Sequence, residues 1–459
     1  MIFLRTTTLV TIFTCAISLS LATEPVTQNV NTQDMDRSVK PGDDFYRFAN
    51  GGWLKAVAVP AGQSSFGTST MLMEMTSERV RSLIQEAATA KLATGSVAQK
   101  VGDYYASFMD ENAIEAKGLT PLADEMATIS AISNKTSLSA YLGTTLNTEV
   151  EAFTSNSDHI FGVWVNQGFE DSEHYNFHLY QGGLGMPDRD DYIDPTPKMG
   201  ELRAQYQAHI AAILKLAGFA DSESRAARIL ALETRIAQCH APDAATTDVF
   251  TQNNSWKRTD FSVKAPGMDW DAYFTSAGVS GQPEFIVWQP PALTGTSALV
   301  GSESLDLWKD YLRYHLIEHY ASVLPKAVAN EDFTFYGTIL SGAQQTPDRS
   351  KAAITATNAA LGQAVGQLYT RRYFPPEAKA RAKAMVADLI AAYRTRIANL
   401  TWMSADTKKK ALAKLDALTI GVGYPDKWIV IRRLRSCAAT LSETCAGPKP
   451  SIVCITWRS

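Results

Sequence analysis

From residue 71 to residue 418 the chain is dominated by stretches with apolar residues at helical spacing, which point to a packed helical fold. Residues 71–88 carry this pattern with Glu and Arg interleaved. Residues 96–109 repeat it with Val101, Tyr104, Tyr105 and Phe108 on one side. Pro121 opens a further helix at its first turn, and Ser137 opens another. Helices follow over 199–216, 222–239 and 304–321. The stretches 353–373, 375–400 and 404–418 are rich in Ala, Lys, Arg and Leu, residues that favour the helix intrinsically. A short helix at 270–274 is stopped by Gly278. The exceptions are β-like: 161–168 alternates around Val163 and Val165, 175–180 is β-rich, and 284–288 reads as a short strand. The first two form an expected hairpin across the acidic residues Glu170 and Glu173. The fold class expected is mainly α, a multi-helix domain with a small β-hairpin region.

At 459 residues and 45% hydrophobic, the chain can bury a large core. Its formal net charge of −4 is mixed along the length, which excludes a nucleic-acid stripe. Residues 1–22 read as a cleaved signal peptide. Arg5 supplies the positive start, an apolar run extends to Leu19, and Ser20-Leu21-Ala22 is a small-x-small cleavage site. The run is short for a membrane span, and no later stretch reaches that length. An exported protein, periplasmic or extracellular, is expected, with a mobile leader over 23–40. Of the cysteines, Cys15 falls in the leader peptide and Cys239 stands alone. Cys437, Cys445 and Cys454 are too widely spaced for a C-x-x-C metal knuckle.

Several segments are more particular. Asp43-Asp44-Phe45-Tyr46-Arg47-Phe48-Ala49-Asn50-Gly51-Gly52-Trp53-Leu54-Lys55 reads as an aromatic segment docking Phe45, Phe48 and Trp53 into a core. Asn50-Gly51-Gly52 is expected to turn the backbone, and Pro60 to end the short stretch after it. Gln181 to Tyr192 contains Gly-Leu-Gly-Met-Pro-Asp-Arg-Asp-Asp-Tyr, which lacks the Gly-Lys-Ser/Thr of a phosphate loop and reads as a turn. Both segments resemble signatures of the neprilysin-like (M13) zinc metallopeptidases. So do Asp269-Trp270-Asp271-Ala272-Tyr273, Tyr373-Phe374-Pro375-Pro376-Glu377-Ala378-Lys379, Trp402-Met403-Ser404 and Gly423-Tyr424-Pro425-Asp426-Lys427-Trp428. The resemblance covers about residues 35–428. It implies that 41–428 is the helical N-terminal domain of an exported zinc endopeptidase acting on oligopeptides.

In that family the zinc site is built from H-E-x-x-H, an E-x-x-x-D helix and a further histidine, all beyond the Tyr-Pro-Asp-Lys-Trp stretch. This sequence contains no H-E-x-x-H. Helical periodicity stops after Trp428, and 429–459 gathers three cysteines, Arg432-Arg433-Leu434-Arg435 and the lone acid Glu443. The break in composition reads as a frame change or truncated gene copy in preference to a divergent extension. Sequencing the locus past codon 428 decides between them.

No catalytic, cofactor-binding or metal residue is therefore assigned, no cofactor is expected in this chain, and it is expected to be inactive alone. Two alternatives remain. One is a half-enzyme needing a separately encoded catalytic part. The other uses His315-Leu316-Ile317-Glu318-His319, which fits the inverted H-x-x-E-H motif with two imidazoles on one helix face and Glu318 as base. An amphipathic helix with surface histidines explains the same letters. His174 and His178 are too far apart to share one ion, and His159, His209 and His240 read as solitary surface or helix-end residues. The Asp188–Asp191 cluster reads as turn chemistry. The resemblance also places an arginine that grips a substrate's C-terminal carboxylate where this chain has Ser65, implying a general endopeptidase preference in a full-length relative.

Overall fold

A computed structural model of the chain describes residues 32–59, 66–146, 157, 159–169, 171, 173–246 and 248–428. The expected signal peptide, residues 23–31 of the leader, Pro60, Ser65, Glu170 and the 429–459 tail with its cysteines lie outside the described residues. The chain divides into two units, one up to Ser77 and one from Glu78 onward.

In the first unit a 3-10 turn, Thr32–Asp34, precedes helix α1 (Phe45–Ala56), and α2 (Thr68–Thr89) begins. Asp44 caps α1, its carboxylate accepting the Arg47 amide at 2.9 Å. Here the sequence expectation needs correcting. Asn50-Gly51-Gly52 does not turn; α1 runs straight through it. The glycines serve a close approach, because a Cβ on Gly51 would sit 2.5 Å from Asp36 Cβ and one on Gly52 2.7 Å from the Gln33 carbonyl. Phe45 is also not a core residue: it is 68% exposed, while Phe48 and Trp53 are half-buried and Trp53 stacks on Phe66.

The second unit continues through α3 (Val97–Met109), α4 (Glu111–Lys117), α5 (Ala123–Ser130) and α6 (Lys135–Thr144) to strands β1 (Phe161–Gln167) and β2 (Tyr175–Gln181). Helices α7 (Arg189–Ile193), α8 (Pro197–Leu216) and α9 (Ser222–Cys239) follow, then the single turns α10 (Asp243–Thr246) and α11 (Val249–Gln252). After β3 (Asn254–Lys257) come α12 (Phe261–Lys264), α13 (Trp270–Ser276), β4 (Glu284–Val287), α14 (Pro290–Ser302), α15 (Leu305–His319) and α16 (Lys326–Asp332). Helix α16 passes into a π-helix, Phe333–Leu340. Then come α17 (Arg349–Tyr373), α18 (Pro376–Asn399) and α19 (Ala405–Asp416). The starts are written in capping residues: Ser96, Asp110, Asn134, Asp269, Ser304, Asp348 and Ser404 each accept a first-turn amide.

The expected hairpin is present, β1 pairing antiparallel with β2, but it belongs to a four-stranded sheet ordered β1-β2-β4-β3. Strand β4 adds parallel to β2, with Leu179 opposite Val287, and β3 adds antiparallel to β4. Alternation splits the sheet's faces. Phe161, Val163, Leu179, Phe285 and Val287 enter the main core. Trp164, His178, Tyr180, Ile286 and Trp288 form a separate cluster on the other face, where Tyr180 lies across Gly162.

The main core is built around α9, whose Ile229, Leu232, Ile236 and Ala237 are fully buried against α8, α14 and α15. Helices α6 and α13 cross so closely that a Cβ on Gly143 would lie 2.2 Å from the Tyr273 carbonyl. Backbone cannot yield there as a flexible side chain would. Gly143→Ala is therefore expected to cost about 1–3 kcal/mol, measured by denaturant unfolding, and an unchanged midpoint would refute the close crossing. A second core joins α2, α3 and α17 through Ile84, Val101, Phe108, Ala353 and Val365. Helices α18 and α19 bury no residue, and Met385, Leu389 and Tyr393 stand exposed at four-residue spacing along α18.

Candidate functional site

The densest chemistry lies inside the main core and begins with Glu233. An acid on the apolar stripe of α9, it is fully buried. It accepts hydrogen bonds from the Tyr192 hydroxyl at 2.7 Å, from the Tyr206 hydroxyl at 3.0 Å and from His315 Nε2 at 2.8 Å. Burying a carboxyl group in apolar surroundings is costly without such partners, and three donors supply them. Burial and the nearby Glu233 push the Tyr192 and Tyr206 hydroxyls well above the ordinary phenol range, so both act as donors.

The segment Gly182 to Tyr192 folds over this acid. Tyr311 donates to the Gly183 carbonyl at 2.9 Å, Tyr336 to the Gly185 carbonyl at 3.0 Å, and His240 Nε2 lies 3.1 Å from the Gly182 carbonyl. Gly183 has φ of +88°, which favours glycine. The Met186 amide donates to the Tyr192 hydroxyl at 2.8 Å, and Asp188 caps α7. The Asp188–Asp191 cluster is thus turn and cap chemistry, as its letters indicate.

His209 forms the adjoining node. Its Nε2 lies 3.2 Å from Glu318 Oε2 and its Nδ1 3.2 Å from Glu331 Oε1, with the ring stacked on Phe335 at 5.0 Å. The expectation of a surface histidine fails here, since His209 is only 2% exposed. His240 does end α9 but is buried as well, and burial holds its imidazole down at about 4. His178 is buried against Trp288, whose indole N–H donates to Nδ1 at 2.9 Å, and burial again lowers it to about 4. His174 is exposed and pairs with Asp171 at 2.7 Å.

These contacts decide the geometry of H-x-x-E-H. His315 turns inward to Glu233 and Glu318 to His209, whereas His319 is exposed and packs against Tyr320. The two imidazoles of the motif are engaged separately, and among the described residues no group of three His, Cys, Asp or Glu side chains is placed to hold a metal ion. The described residues of this motif do not come together as a zinc centre. The network holds protons and joins α7, α8, α9, α15 and α16. Sequence reasoning passed over Glu233, Tyr192 and Tyr206; the signal available was an acid at position 233 between Leu232 and Ile236.

Residues 41–425 match the N-terminal model of peptidase family M13. Among curated proteins, endothelin-converting enzyme 1 of Rattus norvegicus is 26% identical over 420 residues, covering 89% of this chain and 54% of that protein. Its Homo sapiens counterpart is 25% identical, with 90% and 54% covered. The chain thus spans about half the length of the curated relatives it matches. Among solved structures, the Mycobacterium tuberculosis zinc metalloprotease ZMP1 in its open state superposes with a TM-score of 0.80 at 36% identity, covering 88% of this chain and 62% of that one. The inhibitor complex of the same enzyme gives 0.73 at 35%, with 90% and 62% covered. A match that runs from residue 41 to residue 425, through nearly all of the helical body, places this chain in peptidase family M13.

Proposed function

We propose that this chain is the N-terminal part of an exported zinc metalloendopeptidase acting on oligopeptides, and that it has no peptidase activity of its own. The observation that carries this reading is the engagement of His315 and Glu318 within the core network, in a sequence without H-E-x-x-H. Hydrolysis by zinc needs three protein ligands, an open coordination position for water and a base beside it. In the relatives that work belongs to sequence beyond the stretch matched here, by the family resemblance.

The test is zinc analysis of purified residues 23–459 together with cleavage of a quenched fluorescent peptide. Less than a tenth of an equivalent of zinc and no cleavage are expected. One zinc per chain with chelator-sensitive cleavage, both abolished by His315→Ala, would overturn the proposal in favour of the inverted motif.

A second reading, a half-enzyme completed by a separately encoded catalytic part, draws support from α18. A helix of 24 residues that buries none, with Met385, Leu389 and Tyr393 in a row, offers the apolar surface such a part would cover. Cleavage appearing only when the C-terminal portion of a relative is added would favour it.

A further inference from the structure

The pocket around His209 is unevenly charged. One imidazole on α8 is faced by Glu318 on α15 and by Glu331 and Asp332 at the end of α16. Phe335 and Tyr206 stack on the ring's faces, and Tyr314 and Tyr336 meet it edge-on. The neighbouring Glu233 and His315 are bonded to each other. Among the described residues no lysine or arginine forms an ion pair with Glu318, Glu331 or Asp332. Both ring nitrogens lie against a carboxylate oxygen, so both contacts are hydrogen bonds only when the ring is an imidazolium. One cation does not offset three partly buried carboxylates. Asp332, hydrogen-bonded to Glu318, relieves the excess by keeping its proton.

We propose that this cluster is a two-proton latch: one proton on His209 and one between Asp332 and Glu318 dock α16 and the π-helix onto α8 and α15, and raising the pH through neutrality releases that segment. The latch is a property of this chain alone and does not depend on the peptidase reading. Burial and the charge of Glu318 lift Asp332 to about 8 from an ordinary 3.8. Burial alone would lower His209, but the hydrogen bonds to Glu318 and Glu331 outweigh it and raise the ring from 6.5 to about 9. Both shifts are upward, so the docked form holds protons that the released form has lost, and docking weakens as pH rises. One proton separates the forms between 3.8 and 6.5, two between 6.5 and about 8, and one again up to about 9.

Hydrogen exchange on the full chain, corrected for intrinsic amide rates, tests this at residues 326–340. Between pH 6.5 and 8 the opening constant of that segment is expected to rise about 100-fold per pH unit in the native protein and about tenfold in Asp332→Asn. Equal slopes in the two proteins, or pH-dependent opening confined to other segments, would overturn the latch. Should Asp332→Asn fail to fold, carbon-13 carboxyl shifts of aspartate-labelled native protein decide. One aspartate titrating between pH 7 and 9 upholds the proposal, and every aspartate titrating below pH 5 refutes it.

Discussion

Glu233→Ala is expected to lower the unfolding free energy by about 3–5 kcal/mol, the range for removing one partner of a buried charged contact. The side chain is fully enclosed, and three donors converge on it from α7, α8 and α15. Truncation leaves the buried Tyr192 and Tyr206 hydroxyls and the partly buried His315 Nε2 without this acceptor. Glu233→Gln retains an acceptor oxygen and is expected to lose less than half as much. Urea unfolding of the three proteins makes the comparison. A loss below 1 kcal/mol for the alanine variant would mean that Glu233 is not the acceptor that joins these helices.

The second large effect is expected at Phe274. On α13 it stacks on Phe285 of β4 at 4.6 Å and meets Phe261 edge-on at 5.1 Å, with Trp270 alongside at 5.6 Å. It therefore joins helix to sheet, and it is fully buried. Phe274→Ala is expected to cost about 3–5 kcal/mol, from lost transfer energy and an unfilled cavity. Phe274→Leu keeps most of the volume and should cost clearly less. If both variants melt together at the native temperature, this aromatic cluster does not anchor the sheet.

Much of the helical framework was legible because capping residues and helical periodicity are local. Ser96, Ser304 and Ser404 stand where the helices begin, and Pro375-Pro376 opens α18. The features that could not be read were those that depend on distant residues. Strand β3 has four residues, of which only Trp256 is apolar, and its pairing with β4 lies far along the chain. Gly51 and Gly52 suggest a turn by composition, yet their need is the approach of Asp36 and Gln33. The site followed the same division. Asp188 announces its cap three residues ahead of Asp191, whereas His209 is a histidine on an amphipathic helix until α15 and α16 bring Glu318 and Glu331 to its two nitrogens. Likewise H-x-x-E-H is a correct reading of letters whose side chains the tertiary fold sends to different partners.

The mixed sheet carries a consequence for how the chain is made. The β1–β2 hairpin is local and can close soon after Gln181 emerges from the ribosome, but its second edge waits for β4. The Trp288 indole and its His178 acceptor are 110 residues apart in sequence. At about 5–20 residues per second, some 5–20 s of synthesis separates them. Through that interval Leu179 and Tyr180, both fully enclosed in the finished fold, sit beside an unpaired strand edge. A ribosome-associated chaperone has its natural opportunity in that window, and slowing translation between residues 181 and 288 would lengthen the exposure.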